Sequence, residues 1–68
     1  MDNTVITIGG MSCQGCVKTI TGVLNALAGV SRAEVSLEAG EAKVAFDSQR
    51  VTRDALLNAI EDAGFDAE

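Results

Sequence analysis

The 68-residue sequence predicts an α+β domain in which one antiparallel four-stranded sheet carries two helices on one face. Three observations predict it. Two stretches place apolar residues at three- and four-residue spacing, alternating or β-branched runs surround them, and glycines punctuate the junctions. Their order along the chain is βαββαβ.

Residues 3–8 alternate Val5 and Thr7 with Ile6 and Ile8, a strand ended by Gly9 and Gly10. Residues 14–28 set Cys16, Ile20, Val23, Leu24 and Leu27 on one helical stripe, with Gly29 expected as the glycine just past its end. Gly22 falls inside this helix at a cost of ~1 kcal/mol against alanine, for which close packing is the expected reason. Ala33, Val35 and Leu37 alternate with Arg32, Glu34, Ser36 and Glu38 as a half-buried strand. Gly40 turns the chain, and Ala42, Val44 and Phe46 form the hairpin partner. Thr52 is placed to cap a second helix with Ala55, Leu56, Ala59, Ile60 and Ala63 inward and Gly64 at its end. Residues 65–68 leave room for a stub of a fourth strand. One sheet covered on one face by two helices accommodates this order as a ferredoxin-like βαββαβ sandwich.

Length and composition narrow the function. Sixty-eight residues without linker or repeat make one domain, residues 1–68, near the size limit of independent stability. The 47% apolar content, carried by aliphatic side chains, argues for a packed core and against disorder. No apolar stretch reaches the ~18 residues of a membrane span. The start at Met1, Asp2 and Asn3 lacks a secretory signal, so a cytoplasmic chain with reduced thiols is expected. A net charge of −5 argues against nucleic acid as a partner.

The chemistry concentrates in Gly9-Gly10-Met11-Ser12-Cys13-Gln14-Gly15-Cys16, which holds both cysteines of the chain. Two sulfurs at the start of a helix face unpaired backbone N–H groups and the positive end of the macrodipole, which favour thiolates. A closed zinc site wants four Cys or His ligands, and this chain has two cysteines and no histidine. A thioredoxin-type redox pair usually sits in a longer chain with a proline beside the dithiol, and here there is no proline. A two-sulfur site suits a soft ion of low coordination, of which Cu(I) is the softest common biological candidate; the sequence does not separate it from Ag(I) and excludes Zn(II), Cd(II) and Hg(II) only weakly.

Several segments together resemble the heavy-metal-associated domain family, which comprises small copper chaperones and the amino-terminal domains of metal-pumping P-type ATPases. They are Gly10-Met11-Ser12-Cys13-Gln14-Gly15-Cys16, Gly29-Val30, Val35-Ser36-Leu37, Gly40-Glu41-Ala42 and Ile60-Glu61-Asp62-Ala63-Gly64-Phe65. The resemblance implies that Cys13 and Cys16 bind one metal ion near-linearly and pass it to a partner through a complex in which both proteins' cysteines share it. The chain departs from the family at Ser12, Ala28 and Ser36, where threonine, proline and asparagine are usual, and none of these removes a ligand. Phe65 corresponds to a position beside the metal loop, where soluble chaperones often carry Tyr or Lys and ATPase domains Phe.

Other residues carry plainer readings. Met11 is expected to enter the core beneath the loop rather than lend its thioether. Lys18 is either a counter-charge to a dithiolate–Cu(I) centre or a solvated lysine. Gly10 and Gly15 are expected to serve backbone geometry and close partner approach. The carboxylates form a solvated surface with no nucleophile or base context, so no enzyme is expected. The leading reading is a soluble copper chaperone, a monomer in its apo state, that docks transiently on a copper-transporting P-type ATPase. The alternatives are an excised metal-binding domain of such an ATPase and, third, a dithiol oxidoreductase.

Overall fold

The computed structural model describes residues 2–68, so the Met1 start lies outside the described residues. The elements run β1 (Asp2–Gly9), α1 (Gln14–Asn25), β2 (Val30–Ser36), β3 (Glu41–Phe46), α2 (Arg53–Asp62) and β4 (Asp66–Ala67). The strands form one antiparallel sheet in the order β2-β3-β1-β4, with both helices on one face. The ferredoxin-like βαββαβ architecture is therefore the fold observed.

Period two in the strands and 3.6 in the helices select the core. Ile6 and Ile8 from β1 and Ala42, Val44 and Phe46 from β3 meet Ile20 and Leu24 of α1 and Leu56 and Ile60 of α2. Val5, on the opposite sheet face, stays 49% exposed. Thr52 caps α2 as expected, its hydroxyl accepting from Ala55 N–H at 3.2 Å. The far end closes through Gly64 N–H to Glu61 C=O at 3.0 Å and Phe65 N–H to Ile60 C=O at 3.3 Å, the paired bonds of a Schellman motif.

Three local expectations fail. Helix α1 stops at Asn25 rather than at Ala28. Leu27 C=O instead accepts from Val30 N–H at 3.2 Å, closing a tight turn whose third residue is Gly29, at φ +96. Gly29 therefore belongs to the entry into β2 and is not the helix cap, and the turn forms with Ala28 at the position where proline is common. Strand β2 runs from Val30 to Ser36, so Leu37 and Glu38 lie in the hairpin loop. Its last pair is Ser36 with Glu41, and the bond from Gly40 N–H to Ser36 C=O at 2.9 Å draws residues 37–40 out of the ladder. Gly22 faces solvent, and a Cβ built on it meets nothing within 4 Å, so close packing is not its reason.

Candidate metal centre

The cysteines sit where β1 hands the chain to α1. Gly10 turns the backbone at φ +85, a conformation that costs an L side chain about 1–2 kcal/mol. Met11 is half-buried and packs on the core, anchoring the loop from beneath as expected. Ser12, Cys13, Gln14 and Gly15 are all exposed.

Cys13 is the N-cap of α1, with extended backbone at φ −150 and ψ 164. Its carbonyl accepts from Cys16 N–H at 3.1 Å and Val17 N–H at 3.3 Å, and its Sγ also accepts from Cys16 N–H, at 3.4 Å. Cys16 follows in the first turn and is half-buried, whereas Cys13 is exposed. Both are free thiols, and their sulfurs lie 2.9 Å apart. That is hydrogen-bond contact, well beyond the ~2.05 Å of a disulfide. The Cys13 S–H beside it pulls the Cys16 thiol below its usual pKa; backbone hydrogen bonds from Ser12, Cys13 and Cys16 act the same way, and desolvation opposes them. The first turn of α1 holds no acidic side chain to repel a thiolate.

The donor set is two soft sulfurs. Among the described residues, no group of three or more His, Cys, Asp or Glu side chains is placed to hold an ion. Such a pair fits a soft, low-coordinate metal better than a zinc site.

The end of α2 flanks this loop. A Cβ on Gly10 would stand 4.0 Å from Phe65 Cδ1, so the ring lies against the loop as the family resemblance implied. Asp66 pairs with Gly9 and so brings a carboxylate beside the loop. Lys18 is exposed. Gly15 has no positive φ, and a Cβ there would touch Cys13 Sγ at 3.7 Å without clash, so backbone geometry does not explain it. The shallow groove of about 370 Å³ lies on the uncovered sheet face around Val5, Arg32, Glu34, Lys43 and Ala45, away from the sulfurs. The capping role of Cys13 was not legible in the sequence, because a thiol is not among the side chains that ordinarily mark a helix start.

Residues 5–66 match the model of the heavy-metal-associated domain family. Copper chaperone CopZ of Staphylococcus saprophyticus is 46% identical over 68 residues, the whole of both chains. Copper-transporting ATPase RAN1 of Arabidopsis thaliana is 47% identical over 60 residues, which cover 88% of this chain and 6% of that ATPase. Among solved structures, a copper binding domain from HMA7, a P-type ATPase, superposes with a TM-score of 0.98 at 35% identity, covering 100% of this chain and 92% of that one.

Proposed function

The chain belongs to the heavy-metal-associated domain family, and from that premise we propose that it carries one Cu(I) between Cys13 and Cys16 and passes it by thiolate exchange to a copper-transporting P-type ATPase. The observation that supports this reading best is the pair of free sulfurs, 2.9 Å apart, on an exposed loop at a helix amino-terminus. Residues 1–68 then act as a single carrier domain, cytoplasmic and monomeric without its ion, and not as an enzyme.

The chemistry follows from exposure and electrostatics. A lowered thiol pKa at Cys16 lets a metal ion displace the remaining protons near neutral pH. An ion on two surface thiolates accepts a third from a docking partner before it loses the first, so no step leaves it unligated. Cys13, the more exposed sulfur, meets the partner's thiolate first, and Cys16 holds the ion meanwhile. The same donors accept the soft ions Ag(I) and Hg(II), with Zn(II) a poorer fit because it wants four ligands. A second reading, a metal-binding domain of such an ATPase, draws on the likeness to the HMA7 domain and on Phe65 beside the loop.

Transfer is the direct test. Chain loaded with one Cu(I) is mixed anaerobically with the apo metal-binding domain of a copper ATPase, the two are separated, and copper is measured in each. Copper is expected to equilibrate between them, through a complex that needs the ion and weakens only mildly with salt. Copper retained wholly by the donor, or a tight complex between the two apo proteins, would contradict the proposal.

A further inference from the structure

The two helices of this chain are capped by different chemistry. Helix α2 has a hydroxyl cap from Thr52 to Ala55 N–H at 3.2 Å and Asp54 in its first turn. Helix α1 has neither an oxygen cap nor an acid, and the side chain that caps it is the Cys13 sulfur, 3.4 Å from Cys16 N–H. Thiols are absent from the preferred N-cap set, so this cap holds less firmly than the hydroxyl of Thr52.

The capping position is also too close to the second sulfur to hold an ion. Metal–thiolate bonds of about 2.3 Å set sulfurs facing each other across an ion about 4.6 Å apart, whereas here they are 2.9 Å apart. One sulfur must move out. Cys16 is the half-buried one, rooted in the helix, while Cys13 is exposed with extended backbone and free to change its staggered well.

We infer that Cys13 alternates between two roles, capping α1 when the site is empty and ligating when an ion is bound, so that metal capture uncaps the helix. This rests on the proposed Cu(I) reading. Cys16 N–H keeps its second acceptor, the Cys13 carbonyl at 3.1 Å, so the turn loosens without unwinding. The weak cap is then functional: a hydroxyl-strength contact at this position would hold back the sulfur the ion needs.

Amide hydrogen exchange of Cys16, normalised to the core amides of Ile20 and Leu24, tests both halves. In the apo proteins the order of protection is expected to be Cys13→Ser at or above wild type, and wild type roughly twofold or more above Cys13→Ala, matching the weak end of measured cap effects. Loading wild type with one equivalent of Cu(I) is expected to lower the normalised protection of Cys16 toward the Cys13→Ala value, even as the core amides become slower. Equal apo protection in wild type and Cys13→Ala would overturn the cap, and a normalised protection that stays or rises on loading would overturn the exchange of roles. Copper per chain, measured on the same loaded sample, separates these results from a failure of the Cu(I) reading itself: a chain holding no copper sinks that reading and the exchange with it, while the metal-free comparison still decides the cap.

Discussion

At one end of the sheet, a Cβ built on Gly29 would lie 2.9 Å from Arg50 Cβ and 3.0 Å from Val51 Cγ1. At the other end, a Cβ on Gly10 would find only Phe65 Cδ1, at 4.0 Å. Both glycines have φ in the left-handed range, so the contrast lies in what surrounds them. Around Gly29, Asp47 N–H reaches the Gly29 carbonyl at 2.8 Å, the Asp47 carboxylate accepts from Gln49 N–H at 3.0 Å, and Arg53 Nε donates to Thr4 Oγ1 at 3.0 Å. Around Gly10 the chain is exposed from Ser12 to Gly15 and is held by Met11 and by the ring of Phe65. The buttressed end secures the fold; the open end leaves two sulfurs free to move and to be reached.

Equivalent changes at the two ends are therefore expected to have unequal effects. Gly29→Ala combines left-handed strain with a clash against the Arg50 and Val51 side chains and is expected to cost about 2–4 kcal/mol in urea unfolding, with copper binding retained in the folded fraction. Met11→Ala at the open end removes a half-buried anchor and is expected to cost about 1–3 kcal/mol, while Met11→Leu keeps the volume and leaves copper affinity unchanged. A Met11→Leu variant that folds yet loses its metal would make the thioether a ligand and break the contrast. Gly10→Ala carries the strain without the clash, so its cost is expected near 1 kcal/mol, below that of Gly29→Ala. Gly22→Ala, in open solvent within α1, is expected to stabilise by about 0.5–1 kcal/mol in the same unfolding assay.

The sequence was legible where a residue's role is fixed by period or by a local bond. Ile6, Ile8, Ile20, Leu24, Leu56 and Ile60 declare their faces through spacing, and Thr52 and Gly64 declare the ends of α2. It misled where tertiary contacts choose between two local options. The stripe through Leu27 continues the helical period past Asn25, but the close approach of Arg50 and Val51 holds Gly29 in a turn instead. Leu37 continues the alternation of β2, yet the hairpin register ends at Ser36. At the candidate site, Cys13 and Cys16 could be singled out from their spacing before a helix, and Phe65 was placed beside them by family resemblance. The 2.9 Å sulfur contact and the sulfur cap depend on the backbone angles of Cys13, which no local pattern prescribes.

The proposed division of labour gives the ion to the two sulfurs and the fold to the rest of the chain. The most direct measurement is copper per chain by anaerobic titration against a competing Cu(I) chelator, run with urea unfolding of the same samples, for wild type and the Cys13→Ser, Cys16→Ser double variant. One Cu(I) per wild-type chain is expected and none retained by the variant, whose apo stability stays within about 1 kcal/mol of wild type, as for other substitutions at partly or fully exposed positions. A double variant that still binds one Cu(I) tightly, or that fails to fold without its sulfurs, would contradict it.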